Sequence, residues 1–99
     1  MLHLKGKRGL IMGVANERSI AWGIAKAMSN AGAQLAFTHQ GEAFGRRLQP
    51  LAESVGANLL LDVDVTNDAS LDRAFEKLQR SWGSLDFVVH AIAYSEKMS

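Results

Sequence analysis

The chain has 99 residues, 47% of them apolar, and a formal net charge of +1 from 11 basic and 10 acidic side chains. That length allows one domain with a modest core, and that composition excludes a disordered chain. The charge balance leaves no footprint for nucleic acid or an anionic membrane, and the pair Arg46-Arg47 is too short to change this. There is no cysteine, and His3, His39 and His90 have no ligand spacing, so no metal is expected. No apolar run approaches the ~20 residues that cross a bilayer, and the start "MLHLKGKRGL" has no signal-like apolar segment. The expected setting is the cytoplasm, without a nucleic-acid or membrane partner.

The elements alternate between two periods. "GLIMGV" is a short apolar run bounded by glycines and reads as a buried strand. From Ser19 to Ala31 the spacing turns helical, with Ile20, Ile24 and Met28 on one face and Ala21, Ala25 and Ala27 suited to close packing. Gly32 supplies a left-handed stop. "AQLAFTH" is the second strand. "EAFGRRLQPLAESVG" sets Phe44, Leu48, Leu51 and Val55 on one side. Pro50 is tolerated in a first turn, so the regular helix is expected to start near Arg46 or Arg47 and to stop at Gly56. "ANLLLDVDV" is the third strand. "TNDAS" then offers capping side chains to a helix whose Leu71, Phe75, Leu78 and Trp82 recur at helical intervals, ending at Gly83. "LDFVVHAIA" is the fourth strand.

Strand and helix thus alternate three times before a final strand. Right-handed crossovers between parallel strands predict an open, doubly wound α/β sheet covered on both faces. The runs "LLL" and "FVV" are continuous rather than alternating, as such burial requires. A dinucleotide fold of this kind has two halves, and only the first is expected here. The chain reads as the N-terminal part of one domain of a longer protein, or as a truncated product.

The stretch "GVANERSIAWG" after the first strand carries the functional question. Gly13 ends the strand and the loop feeds a helix N-terminus, where backbone N–H groups and the helix dipole attract an anion. Ser19 suits either a helix cap or a phosphate contact, and Gly23 would let helix and sheet pack closely. Taken alone, the spacing fits a phosphate loop and an empty capped turn equally.

The segments "GVANERSIAWGIAKAM", "GAQLAFTHQ", "DVDVTNDAS" and "LDFVVHAIAYS" together resemble the NADH-dependent enoyl-acyl-carrier-protein reductases of bacterial fatty-acid synthesis. These form a divergent branch of the short-chain dehydrogenase/reductases. The resemblance runs from about Lys5 to Ser95. Its most specific feature is a G-x5-S-x3-G loop, the spacing of Gly13, Ser19 and Gly23. It implies the N-terminal half of a Rossmann-like sheet with order β-α-β-α-β-α-β, and NAD as cofactor. It further implies that Gly13, Ser19 and Ile20 line the pyrophosphate and that Gln40 lies near the adenosine half. Asp64 would accept from the adenine amine, Val65 would pack on the ring, Ile92 would sit under the nicotinamide side, and Ser95 would touch substrate. Ala91 and Ala93 depart from the serine or glycine frequent in relatives, yet both are small. Asp62 is left as a solvated strand end, His90 as a strand-end histidine, and Trp22 and Trp82 as packing residues.

The implied substrate is an enoyl thioester on acyl carrier protein, and the implied assembly is a homotetramer. In that chemistry hydride reaches the β-carbon, and a tyrosine hydroxyl answers the charge on the thioester oxygen. A lysine separated from that tyrosine by six residues holds the nicotinamide ribose. Here the sole tyrosine is Tyr94 and the next lysine is Lys97, so no catalytic residue is assigned within the chain. Two alternatives remain at this point. One is another short-chain reductase acting on a carbonyl. The other is a non-enzymatic nucleotide-binding or phospho-receiver module using Asp62, Asp64 and Asp86. Finally, the tip His39-Gln40-Gly41 offers no arginine or lysine to a 2′-phosphate, which predicts NADH over NADPH, with Arg46 and Arg47 as the nearest cations in sequence.

Overall fold

The computed structural model describes residues 4–14, 17–64 and 66–90. The elements run β1 (Arg8–Met12), α1 (Ile20–Asn30), β2 (Gln34–His39), α2 (Glu42–Ser54), β3 (Leu60–Asp62), α3 (Asp68–Trp82) and β4 (Phe87–His90). The four strands are parallel, in the order β3-β2-β1-β4. The chain walks outward from β1 through β2 to β3, then crosses back to place β4 on the other side of β1. The strand order therefore reverses between β1 and β4. Open α/β sheets bind ligands at such a reversal, outside the carboxyl ends of the strands.

Side chains alternate across the sheet and build two cores. On one face Ile11, Leu35 and Phe37 meet Ala21, Trp22 and Ala25 of α1 and Leu48 and Ala52 of α2. On the other face Leu10, Met12, Ala36 and Leu61 meet Ala74 and Leu78 of α3. Trp22 is buried and packs at 6.1 Å from the Phe37 ring, as its packing assignment requires. Trp82 is half-buried beside the second core, likewise a packing residue.

Local signals explain the helix ends. The Ser19 hydroxyl caps α1 by accepting from the Trp22 N–H. Asn67 caps α3 by accepting from the N–H groups of Ala69 and Ser70. Gly83 ends α3 at φ +77, a left-handed conformation that costs other residues strain.

Several expected details differ. The inward stripe of α1 is Ala21, Trp22 and Ala25, while Ile20 is 78% exposed and Ile24 only half-buried. The helix is rotated so that two alanines, rather than two isoleucines, meet the strands. Gly23 is exposed and a Cβ there would meet nothing within 4 Å, so it does not mediate helix–sheet packing. Helix α2 starts at Glu42, not near Arg46, and keeps Pro50 in its interior. Pro50 and Arg46, whose carbonyl loses its helical donor, are both exposed, so that carbonyl belongs to the solvated side of the helix. Phe44 and Phe75 stand 45% and 40% exposed rather than in the core. β3 has three residues, and β4 alternates half-buried and exposed positions instead of being covered on both faces. Among the described residues β4 is an edge strand, with Val88 45% exposed.

Candidate functional site

Because all four strands run the same way, the segments that follow them gather at one edge. The strand order puts the loop after β3 beside that after β2, then that after β1, then the end of β4. At ~4.8 Å per strand this row is about 14 Å long. It carries, in turn, Asp64, Gln40, Gly13 with the start of α1, and His90. The expected contacts Gly13, Ser19, Ile20, Gln40 and Asp64 are thus brought to one edge from three separate segments. Val65, Ile92 and Ser95 lie outside the described residues.

Gly13 is half-buried at φ +105, where a side chain would be strained. It turns the chain out of β1, and buried Val14 anchors the turn in the first core. Ser19 sits at the N-cap with its Oγ 3.3 Å from the Trp22 N–H that donates to it. Capping uses the hydroxyl as acceptor, whereas a phosphate would use its O–H as donor, so the two roles are chemically compatible. By helix geometry the N–H groups of Ile20 and Ala21 have no partner within α1.

The loop after β2 is held from both sides. The Gly41 N–H donates to Asp62 Oδ1 at 3.0 Å, and the Gly41 carbonyl accepts from His39 Nδ1 at 2.9 Å, which fixes the proton on that nitrogen. A Cβ at Gly45 would come within 2.8 Å of the His39 ring, so glycine there makes room for it. Gln40 is the exposed tip between these anchors. Asp62 was expected to be only a solvated strand end. Instead, its place opposite His39 in the β2–β3 register puts its carboxylate on the neighbouring loop. No local signal shows this, because the pairing register decides it.

The loop after β3 turns around Asp64. Its Oδ1 accepts from the Thr66 hydroxyl at 2.6 Å and the Thr66 N–H at 3.0 Å. These bonds, the hydroxyl first, hold the carboxyl below the usual aspartate range against a small opposing effect of burial. Asp64 is therefore an anionic, acceptor-only group at neutral pH. Its own N–H donates to the buried Ser70 hydroxyl at 2.9 Å, which ties the loop to α3. Asp86, by contrast, lies just before β4 at the opposite edge, bonded to Arg8. The acid cluster of a phospho-receiver is therefore not assembled. Arg46 pairs with Glu42 at 3.5 Å, and Arg47 lies over the Phe44 ring. Among the described residues no group of three His, Cys, Asp or Glu could hold a metal ion, and no helix is long and apolar enough to cross a membrane.

The profile of the Enoyl-(Acyl carrier protein) reductase family matches residues 13–99. The chain belongs to this family. The NADH enoyl-acyl-carrier-protein reductase 1 of Rhizobium meliloti is 56% identical over 95% of this chain and 35% of its own length. The enoyl-acyl-carrier-protein reductase of Anaplasma phagocytophilum, solved in complex with NAD, superposes with a TM-score of 0.90 at 48% identity, over 99% of this chain and 39% of that one. The Bacillus cereus enoyl-acyl-carrier-protein reductase, solved with NADP+ and an indole naphthyridinone, gives a TM-score of 0.83 at 46% identity, over 89% and 35% of the two chains. The chain thus spans about a third of the length of the curated relatives it matches. The Rossmann-like α/β class expected from the sequence is the fold of these reductases.

Proposed function

We propose that the chain is the cofactor-binding, N-terminal part of the single Rossmann-like domain of an NADH-dependent enoyl-acyl-carrier-protein reductase. The observation that carries this reading is the row of Asp64, Gln40, Gly13 and the capped α1 terminus along one sheet edge, in a chain 48% identical to a relative solved with NAD. The residues fit such a cofactor. Gly13 offers a turn without a side chain, α1 offers first-turn N–H groups that have no partner within the helix and the positive end of its dipole, and Asp64 offers an ionised acceptor.

When bound, the nicotinamide supplies the hydride that reduces the alkene at its β-carbon. The chain's part is to bind and orient. Gly13, Ser19 and Ile20 hold the pyrophosphate, and Gln40 meets the adenosine half. Asp64 accepts from the adenine amine and Val65 packs on the ring. Ile92 supports the nicotinamide side and Ser95 meets substrate. No catalytic residue is assigned, since Tyr94 and Lys97 do not have the tyrosine–lysine spacing of the family's acid chemistry. The partners we assign are an enoyl thioester on acyl carrier protein and further copies of the whole protein in a homotetramer. The setting we assign is the cytoplasm, with no nucleic-acid or membrane partner.

The test is Gly13→Val in the whole protein, followed by NADH titration and NADH oxidation with a crotonyl thioester. A side chain at φ +105 carries strain of about 1–3 kcal/mol and intrudes where the pyrophosphate approaches. Loss of NADH binding is expected. Wild-type binding and turnover in that variant would overturn the reading.

A further inference from the structure

We propose that Asp62 is a specificity-determining residue that disfavours a cofactor carrying a 2′-phosphate, an inference that rests on the dinucleotide site proposed above. In dinucleotide folds an acid at the end of β2 meets the ribose 2′-OH, and an arginine nearby accommodates a 2′-phosphate instead. The end of β2 here is His39-Gln40, with no acid. The structure supplies one from the next strand. Asp62 pairs with His39 in register, and its Oδ1 accepts from the Gly41 N–H at 3.0 Å.

Gly41 is also the N-cap of α2, at φ +91, and has no side-chain cap of its own. A helix N-terminus at the tip of β2 attracts anions through its dipole and its unpaired N–H groups. Here the cap N–H is already taken by a carboxylate. Glu42 also stands in the first turn, where it is paired with Arg46. The nearby arginines are engaged elsewhere, Arg46 with Glu42 and Arg47 over Phe44, so neither offsets the Asp62 carboxylate. A 2′-phosphate brought to Gln40 would therefore be repelled by the Asp62 charge, whereas a neutral hydroxyl would not be. Asp62 acts twice: its hydrogen bond positions the Gln40–Gly41 loop, and its charge repels the phosphate.

Two substitutions in the whole protein separate these roles. Asp62→Asn keeps an oxygen to accept from Gly41 but removes the charge, and Asp62→Ala removes both. Dissociation constants for NADH and NADPH are measured at low and high salt. Both variants are expected to shift the NADPH-to-NADH affinity ratio toward NADPH, by about five- to tenfold at low salt and less at high salt, as a screened charge repulsion requires. Asp62→Ala is expected to weaken both cofactors as well, through the loosened loop. A ratio that stays at the wild-type value in Asp62→Asn, while wild type binds NADH, would overturn this inference alone. A wild-type protein that binds neither dinucleotide would overturn the functional reading and this inference together.

Discussion

At the amino edge of the sheet Arg8 joins elements far apart in the chain, while at the carboxyl edge most bonds stay within one loop. The Arg8 Nε donates to Gln34 Oε1 at 3.1 Å, and its Nη1 donates to the Trp82 carbonyl. Its guanidinium lies 5.8 Å from the Trp82 ring centroid. Its N–H donates to Asp86 Oδ2, and the Asp86 N–H donates back to the Arg8 carbonyl, each at 2.8 Å. These side-chain bonds span separations of 26, 74 and 78 residues. At the carboxyl edge Asp64 bonds Thr66, Ser19 bonds Trp22, and Asn67 bonds Ala69 and Ser70, all within three residues. Long-range bonds lock the elements together. Short-range bonds shape turns and leave the edge open for a ligand. Longer bonds there include Asp64 N–H to Ser70, six residues apart, and Gly41 to Asp62, a separation of 21 residues that lies where cofactor choice is proposed to be made.

The sharpest way to break this contrast is at Gly9, on the amino side of β1. A Cβ there would run into the Phe87 ring of β4. Gly9→Val should cost about 3 kcal/mol, the upper end for overpacking, and lower the melting temperature. NADH affinity of the folded protein should stay within about twofold, since strain at the far edge adds little to binding. A large loss of affinity without a fall in melting temperature would show that the two edges are not separate.

Ser19→Ala sharpens the comparison from the other side. Loss of the cap should cost about 1 kcal/mol of stability. If the hydroxyl also meets the pyrophosphate, NADH binding should weaken by roughly 1.5–3 kcal/mol. Calorimetric titration beside thermal melting separates the two, and unchanged affinity with a lower melting temperature would leave Ser19 as a cap alone.

The smallest effect concerns Asp64. Its native carboxyl titrates below the usual aspartate range, so its contribution to stability is full above that range. That contribution is lost as pH falls through the lowered native value. Thr66→Val removes the hydroxyl bond, the larger cause, and keeps the N–H bond. The Asp64 carboxyl midpoint, followed by carbon NMR, should rise toward the usual range without reaching it. A midpoint that does not move would contradict the assigned cause.

What could be read from the sequence follows the same division between local and distant causes. The caps at Ser19 and Asn67 and the stop at Gly83 depend on neighbours a few residues away, and all stand where the sequence places them. The order of elements and the parallel sheet followed from period and crossover length. The inward face of α1 did not, because Ile20 and Ala21 are equally apolar in pattern and only the sheet decides which turns in. The early start of α2 was hidden by Pro50, whose cost depends on whether that side of the helix meets water. Phe75 lies outside the core because Ala74 and Leu78 fill the contact with β1 and β2. Within the candidate site Gly13 and Ser19 could be singled out from the loop spacing and Gln40 and Asp64 from the resemblance, but the bond from Gly41 to Asp62 arises from the β2–β3 register, and the fit of the His39 ring from the approach of α2 at Gly45.

The central claim is that one sheet edge binds a dinucleotide while the other only holds the fold. Amide hydrogen exchange of the whole protein with and without NADH tests it most directly. Slower exchange is predicted at Ile20–Trp22, at Gln40–Gly41 and at Asp64–Asn67, with no change at Arg8, Gln34 or Asp86. Protection confined to the Arg8 edge, or spread equally over both edges, would contradict it.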